Sequence, residues 1–200
     1  MAAVDDFFSG RTGIGVHQKR KVFELRNQYT LTNEDGTEAG KVEQAKQSPL
    51  TFLVRLMSSL DAALPVTLDI TDTSGADVLS LKKGWFTTKI KASTASGEEI
   101  GTIARKMKIG KPVYVMSKNG DDLGVIKAED WRSRNFSIQD AQDKEFARVT
   151  KKWRGLLTEA FTDADSYAVE FDGSASTQQR ALALSGALAV DLIQKQKDNS

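Results

Sequence analysis

Short runs in which apolar and polar residues alternate, separated by polar turns, fill most of the chain between Val66 and Phe171. Examples are VTLDI, FTTKIKA (residues 86–92), FSIQD and YAVEF, each about five residues long, which is near the usual strand length. A period of two is typical of a strand with one packed face and one solvated face. The pattern therefore predicts a mainly β protein.

The turns between these runs share one chemistry, a short polar segment that usually contains glycine. Such segments supply the positive φ angles that tight hairpins need. After the first turn they recur about every 22 or 23 residues, a spacing that predicts a meander curling into a barrel or a sandwich. The turns lie at Asp35-Gly36, Ser74-Gly75, Ser96-Gly97, Asn119-Gly120 and Asp140 to Lys144.

The C-terminal segment changes to a helical pattern. Ser176-Thr177 offers an N-cap, and the residues from Ala181 to Ile193 leave almost no polar face. This stretch falls short of the roughly 20 apolar residues that cross a bilayer. At 1.5 Å per residue the helix would be about 20–25 Å long, which suits the axis of a closed barrel of around a dozen strands. We therefore predict a β-barrel around a hydrophobic C-terminal helix.

The rest of the chain divides simply. Residues 1–20 are predicted to be a flexible N-terminal segment, residues 21–195 a single barrel domain and residues 196–200 a polar tail. Asp5 and Asp6 stand where a signal peptide would be basic, and no apolar region follows them. A helix from Leu50 to Leu60, opened by Ser48-Pro49, either covers a barrel end or lies at a membrane interface.

Composition limits the chemistry available. The chain has no Cys, one His (His17) and a net charge of +1, so it has no thiolate nucleophile, no disulfide and no Cys-based zinc site. The glycines lie in hairpins, outside any strand-to-helix phosphate loop. An acidic cluster of Glu159, Asp163 and Asp165 could hold a hard cation, act as general acid/base carboxylates or cap a turn, and no His accompanies it. We therefore expect no enzymatic activity.

One long motif carries a family resemblance. Residues 151–171 read KKWRGLLTEAFTDADSYAVEF. This segment resembles the C-terminal signature of phospholipid scramblases, in which a basic-Trp-x-Gly element precedes Glu-x-Phe-Thr-Asp-Ala-Asp, an aromatic strand and a hydrophobic helix. The resemblance covers about residues 22 to 195. The matching residues are Trp153, Gly155, Glu159, Phe161, Thr162, Asp163, Ala164 and Asp165.

The resemblance carries expectations about fold and function. Scramblases and the related tubby-like and LURP-one-related proteins imply a closed twelve-stranded barrel around the C-terminal helix. They also imply binding of anionic phospholipids at a membrane surface and movement of phospholipids between leaflets. A cytoplasmic protein, peripheral on the inner face of the plasma membrane, would fit this activity. The alternative is a scaffold or ligand-binding barrel with a protein partner and no membrane role.

The resemblance also has departures. Animal scramblases carry a Pro-rich N-terminal region and a palmitoylated Cys cluster, which this chain lacks. Their proposed calcium segment corresponds to Asn135 to Glu145 and is one residue shorter here. Asp140, Asp143 and Glu145 supply oxygens for a candidate calcium site, although EF-hand spacing is absent. The other interpretation is a polar hairpin turn.

Basic and aromatic residues provide the candidate lipid-binding set. Arg105 to Lys111 and His17 to Lys21 are basic runs that suit phosphate, or a charged edge that resists aggregation. Trp85, Trp131 and Trp153 have basic neighbours, an arrangement that suits a membrane interface or a covered barrel end. Tubby-like relatives bind phosphoinositides, which favours lipid over nucleic acid. The candidate lipid-binding residues are Lys106, Lys108, Lys111, Lys151, Lys152, Trp153 and Arg154.

Overall fold

The computed structural model describes residues 2–18, 28–45, 64–106, 111–129, 135–151 and 166–198. Across these residues twelve antiparallel strands form a closed barrel, which confirms the predicted fold class. The predicted helix at Leu50 to Leu60 lies outside the described residues. The helices are α1 (Ala2–Phe8) and α2 (Thr177–Asp198). The strands are β1 (Gly13–Gln18), β2 (Gln28–Thr32), β3 (Glu38–Gln44), β4 (Val66–Asp72), β5 (Asp77–Lys83), β6 (Ile90–Thr94), β7 (Glu99–Lys106), β8 (Val113–Lys118), β9 (Asp121–Ala128), β10 (Phe136–Asp140), β11 (Glu145–Thr150) and β12 (Ser166–Phe171).

Four of the five hairpins that follow β2, β4, β6, β8 and β10 are built on one plan. In the β4–β5 turn the amide of Asp72 donates to the carbonyl of Ala76, and the amide of Gly75 donates back to Asp72. The same pair of bonds closes the β2–β3, β6–β7 and β10–β11 turns. Gly75 has a φ of 85°, the left-handed conformation that glycine adopts without penalty. Gly36, Gly75, Gly97 and Asp143 therefore occupy one repeated turn position, whereas Asn119-Gly120 forms a two-residue turn between Lys118 and Asp121.

A second glycine position allows neighbouring strands to meet. In β9, Gly124 has a φ of 135°, and a Cβ there would lie 2.0 Å from the carbonyl oxygen of Gln139. The register between β8 and β9 shifts beside Gly124, between Met116 and Ser117, as expected of a β-bulge. Similar register shifts occur in the β2–β3, β4–β5, β6–β7 and β10–β11 pairs. Bulges of this kind bend the strands, and the bending lets the sheet close on itself.

Helix α2 occupies the inside of the barrel. Every residue from Ala181 to Val190 is buried, and α2 packs against β5, β6, β7, β11 and β12, which lie on different sides of the ring. The Tyr29 hydroxyl on β2 donates to Asp191 of α2 at 2.7 Å. A helix that contacts the sheet in so many directions is surrounded by it. The predicted central helix is therefore confirmed.

The predicted cap of α2 is also present. The hydroxyl of Ser176 accepts from the amide of Gln179 at 3.2 Å, and the side chain of Gln179 accepts from the amide of Ser176 at 2.9 Å. This reciprocal pair is a capping box. It satisfies amide groups that the first turn of a helix would leave without partners.

The N-terminal residues differ from the flexible segment that we expected at 1–20. Helix α1 buries Val4, Phe7 and Phe8, and β1 pairs with both β2 and β12 to close the ring. The sequence signal for β1 is weak because glycines separate its two core residues, Ile14 and Val16, and glycine is depleted in strands. Its partner β12 also lies at the far end of the chain, so no local sequence pattern predicts the pairing.

The antiparallel order places alternate connections at opposite ends of the barrel. The short hairpin turns after the even-numbered strands lie at one end, which we call the turn rim; their described residues are 33–37, 73–76, 95–98, 119–120 and 141–144. Connections after the odd-numbered strands leave the other end. The C-terminal part of α2 reaches this second end, because Tyr29 at the start of β2 bonds Asp191.

Gly186 on α2 tests how closely the helix fits the sheet. A Cβ at Gly186 would lie 2.7 Å from Cδ1 of Ile126 on β9. We expect displacement of the Ile126 side chain in G186A to cancel the helix-propensity gain of about 1 kcal/mol, so the free energy of unfolding should not rise. The I126V change removes that Cδ1 atom, so the double variant should be more stable than the two single effects added together. Urea unfolding of the four proteins measures this coupling, and strict additivity would contradict the close fit.

Candidate lipid-binding site

Charges are sorted between the two ends of the barrel, although the net charge of the chain is only +1. At the turn rim the described carboxylates outnumber the cations, which include Arg11, Lys118, Lys144 and Arg180. We call the opposite end the basic rim and define it by Lys82, Lys83, Lys89, Arg105, Lys106, Lys111 and Lys151. The turn-rim carboxylates are Glu34, Asp35, Asp72, Glu98, Asp121, Asp122, Asp140, Asp143 and Asp172.

Acidic groups are fewer on the basic rim within the described ranges. Glu43 lies near the end of β3. Glu129 pairs with Arg148 of β11, and Asp191 accepts from Tyr29 inside the barrel. The exposed cations of this rim therefore dominate its local potential, because two of these three carboxylates are already engaged by protein groups.

Many turn-rim carboxylates have a structural role. The Asp72 carboxylate accepts from the amides of Ser74 and Ala76, and its pKa is lowered chiefly by the hydrogen bond from the Ser74 hydroxyl. After β12, the Asp172 carboxylate accepts from the amide and from the hydroxyl of Ser174. The hydrogen bond from the Ser174 hydroxyl is the main cause that lowers the pKa of Asp172. Aspartate at these positions organises the turns, and the acidity of the rim follows from it.

The predicted lipid-binding lysines that the structure describes lie on the basic rim. Lys106 ends β7, Lys111 precedes β8, and Lys151 follows β11; all three are exposed. The Lys111 ammonium donates to the carbonyl oxygen of Glu129, which holds it beside β9. The other predicted residues, Lys108, Lys152, Trp153 and Arg154, lie outside the described residues, as do Trp131 and the Glu159, Asp163 and Asp165 cluster.

In the connection between β5 and β6, the structure has a turn where the sequence pattern predicted a strand. We interpreted Phe86 as the start of a strand, but β6 begins at Ile90 and Phe86 lies in a turn. Phe86 is 80% exposed and Trp85 is 48% exposed, and they are the large exposed hydrophobic side chains of the described structure. The signal that could have found this turn is Gly84, since glycine next to a strand end commonly marks a turn.

Hydrogen bonds between its own residues and the end of β5 hold the β5–β6 loop in place. The Lys83 side chain is buried, and its ammonium donates to the carbonyl of Thr87 at 3.3 Å. Burial lowers the pKa of Lys83 from its ordinary value. The Thr87 hydroxyl accepts from the amide of Lys89 at 3.0 Å. Thr87 therefore connects both sides of the loop.

The candidate calcium residues are engaged by protein groups. The Asp140 carboxylate accepts from the amides of Gln142 and Lys144, both at 2.9 Å, as a turn-forming Asp does. Asp143 pairs with the Lys127 ammonium at 2.9 Å. Both carboxylates thus follow the polar-turn interpretation.

Glu145 is occupied more fully. It accepts two bonds from Arg148, at 2.9 and 2.7 Å, and one from the Ser137 hydroxyl, and its carboxylate raises the pKa of Arg148. In the part of the chain that the structure describes, no three acidic or His side chains are arranged to hold a metal ion. The calcium assignment of Asp140, Asp143 and Glu145 stays a prediction, and in this structure protein groups occupy all three carboxylates.

The barrel interior bears on the alternative of a ligand-binding barrel. A cavity of about 20 Å³ lies between α2 and strands β9 to β12, lined by residues that include Ile126, Phe136 and Tyr167. That volume holds about one water, whereas small-molecule pockets measure roughly 300–1,000 Å³. In the described interior, α2 occupies the space that a ligand would need. A bilayer-spanning helix is likewise missing from the described ranges, since none there combines enough length with enough apolar character.

The chain matches the family model described as Scramblase over residues 17–194, a range that runs from the end of β1 into α2. The protein therefore belongs to the Scramblase family. The match confirms the resemblance that we drew from the motif at residues 151–171.

Relatives show the same relationship at low identity. The chain is 23% identical to human phospholipid scramblase 2 over 187 residues, covering 86% of this chain and 61% of that protein. It is 24% identical to a phospholipid scramblase family protein of Schizosaccharomyces pombe over 165 residues, covering 77% of this chain and 43% of that protein. The chain thus spans about half the length of these relatives.

A solved structure supports the fold alone. The X-ray structure of a protein from Arabidopsis thaliana superposes with a TM-score of 0.53 at 16% identity, covering 96% of this chain and 97% of that one. The two chains therefore share a fold.

Asp143 offers a test of the turn interpretation. It has a φ of 60° at the position where the other hairpins of this plan have glycine. We expect D143G to raise the free energy of unfolding by about 0.5 kcal/mol, because relief of left-handed strain outweighs loss of an exposed ion pair. Thermal unfolding with and without millimolar calcium measures this. Stabilisation of the wild type by calcium that D143G abolishes would contradict the interpretation.

Asp72 makes stability depend on pH. Its carboxyl pKa is lower in the folded protein than in the unfolded chain, so its stabilisation is present above the unfolded pKa and is lost as pH falls through the folded pKa. Asn can keep the same turn without titrating, so D72N should lose less stability than the wild type below about pH 4. Urea unfolding across this range measures the difference, and parallel curves for the two proteins would show that Asp72 is not linked to folding.

Proposed function

We propose that this Scramblase-family barrel binds anionic phospholipids at a membrane surface through its basic rim. The observation that carries the proposal is the separation of charge between the two rims of a chain that is nearly neutral overall. An anionic membrane attracts the basic rim and repels the turn rim, so the protein would dock end-on. Relatives named phospholipid scramblases support a phospholipid as the partner.

The size of the attraction can be estimated. A Lys or Arg close to an anionic surface contributes about 1 kcal/mol. Lys106, Lys111 and Lys151 together would therefore contribute about 3 kcal/mol, or on the order of a hundredfold in affinity. The connections that leave the basic rim add further cations in the sequence, among them Lys108, Lys152 and Arg154.

The finer activity belongs to the same proposal. We infer that the barrel moves phospholipids between leaflets, which the names of its relatives support, and that it acts at the inner face of the plasma membrane. Binding is the step for which the described residues supply a surface. Redistribution of a labelled lipid in the same vesicles tests the transfer step separately from binding.

A charge-reversal experiment tests the binding surface. We expect K106E/K111E/K151E to lower binding to vesicles of phosphatidylcholine with about one third phosphatidylserine by at least about tenfold. The control K118E/K144E reverses two lysines on the turn rim and should bind like the wild type, whereas K106E/K151E, which is matched to it in charge, should bind more weakly. Co-sedimentation measures binding, and circular dichroism checks that each variant is folded.

Salt and lipid charge complete the test. Raising ionic strength should weaken binding, because exposed charges are screened within about 8–10 Å at physiological salt. Vesicles of phosphatidylcholine alone should bind weakly. The proposed function is wrong if the wild type fails to bind anionic vesicles. It is also wrong if the triple variant binds these vesicles as well as the wild type and the control variant do.

A further inference from the structure

We propose that the loop at residues 84–89, between β5 and β6, inserts Trp85 and Phe86 into the headgroup and acyl boundary of an anionic phospholipid membrane. This inference rests on the proposed function and adds an anchoring element to it. In this arrangement the lysines of the basic rim attract the membrane, and the aromatic pair enters it. We call this segment the aromatic loop.

Exposure is the first observation. Phe86 is 80% exposed and its neighbour Trp85 is 48% exposed, with the two rings tilted at a centroid distance of 6.2 Å. Single exposed apolar side chains are common on protein surfaces, but two adjacent aromatic rings at the tip of a loop form a contiguous apolar surface. The rest of the described large hydrophobic side chains are at least partly covered.

Backbone geometry is the second observation. Phe86 has a φ of 51°, in the left-handed region that a bulky residue rarely adopts. The strained turn is held by Thr87, whose carbonyl accepts from Lys83 and whose hydroxyl accepts from the amide of Lys89. A strained residue fixed by its surroundings points to a function for that conformation. Here the conformation keeps the Phe86 ring in solvent, where a membrane can reach it.

Charge around the loop is the third observation. No acidic residue occurs in the sequence between Asp77 and Glu98. Lys82 and Lys89 are exposed on either side of the loop, while Lys91 pairs with Glu99 at 2.7 Å. Aromatic rings at the tip with cations behind them match the order of acyl boundary and phosphate in a bilayer. The occupant that this order fits is an anionic lipid surface.

Strand order places the loop beside the other cations. β6 pairs with β7 through Ile90 and Ile103, and β7 continues from Ile103 to Lys106 at the same rim. Arg105 and Lys106 thus extend next to the aromatic loop. The loop and the lysines would therefore reach one membrane plane together.

The absence of Cys from the chain allows a direct test. In T88C labelled with an NBD fluorophore, both aromatic residues remain. We expect its emission to rise and shift to the blue with phosphatidylserine-containing vesicles, and to be quenched by lipids that carry a shallow quencher. The matched control is S96C at the turn rim, which should show neither change.

Substitution of the aromatic pair gives an independent readout. W85S/F86S should weaken binding to the same vesicles by about tenfold or more, because the apolar contact is lost while the lysines remain. The rescue variant W85F/F86W keeps two aromatic rings and should bind like the wild type. Because both side chains are exposed, the substitutions should leave the barrel folded, and thermal unfolding of each variant checks this.

The outcomes separate this inference from the proposed function. If the wild type does not bind anionic vesicles, both are wrong. If the wild type binds and the triple lysine variant does not, but the T88C label stays unchanged and W85S/F86S binds normally, the rim is a lipid surface without an anchor. If W85S/F86S keeps lipid binding but loses a protein partner that the wild type binds, the aromatic loop is a protein interface and the inference is overturned.

Discussion

Burial of α2 inside the closed sheet is the interaction on which the rest of the structure depends. Twelve strands enclose a space that their own side chains cannot fill, so the barrel requires a central apolar element, and α2 requires an apolar sleeve. Small residues make the fit possible, as shown by the approach of Gly186 to Ile126 and of Gly101 to Leu182. Neither the sheet nor the helix can reach its final packing without the other.

The hairpin plan that builds this sheet also sorts the charges. Turn positions favour aspartate because its carboxylate binds the amides of the following residues, as Asp72, Asp140 and Asp172 do. Acidity therefore collects where the short turns are. The longer connections at the other end have no such requirement and carry the lysines and the Trp85–Phe86 pair. The polarity that we connect with membrane binding is thus partly a by-product of folding chemistry.

Sequence alone predicted the barrel, the central helix and the cap at Ser176, because each depends on a local period or a local hydrogen bond. It missed β1, whose strand signal is diluted by Gly13 and Gly15 and whose partner β12 is distant in sequence. It also placed Phe86 in a strand, because an aromatic followed by two threonines has strand propensity whether or not a sheet receives it. The common rim of Lys106, Lys111 and Lys151 follows only from strand order.

Closure of the ring through β1 and β12 has a consequence for biosynthesis. The pairing of Val16 with Tyr167 joins the first strand to the last, and α2 follows that last strand in the chain. Contacts between such distant residues form slowly, because a large loop must close before they contribute. While the ribosome is still adding the final third, the emerging hairpins have edges without partners and an apolar face without a helix. Such nascent chains are prone to aggregate and are typical clients of chaperones.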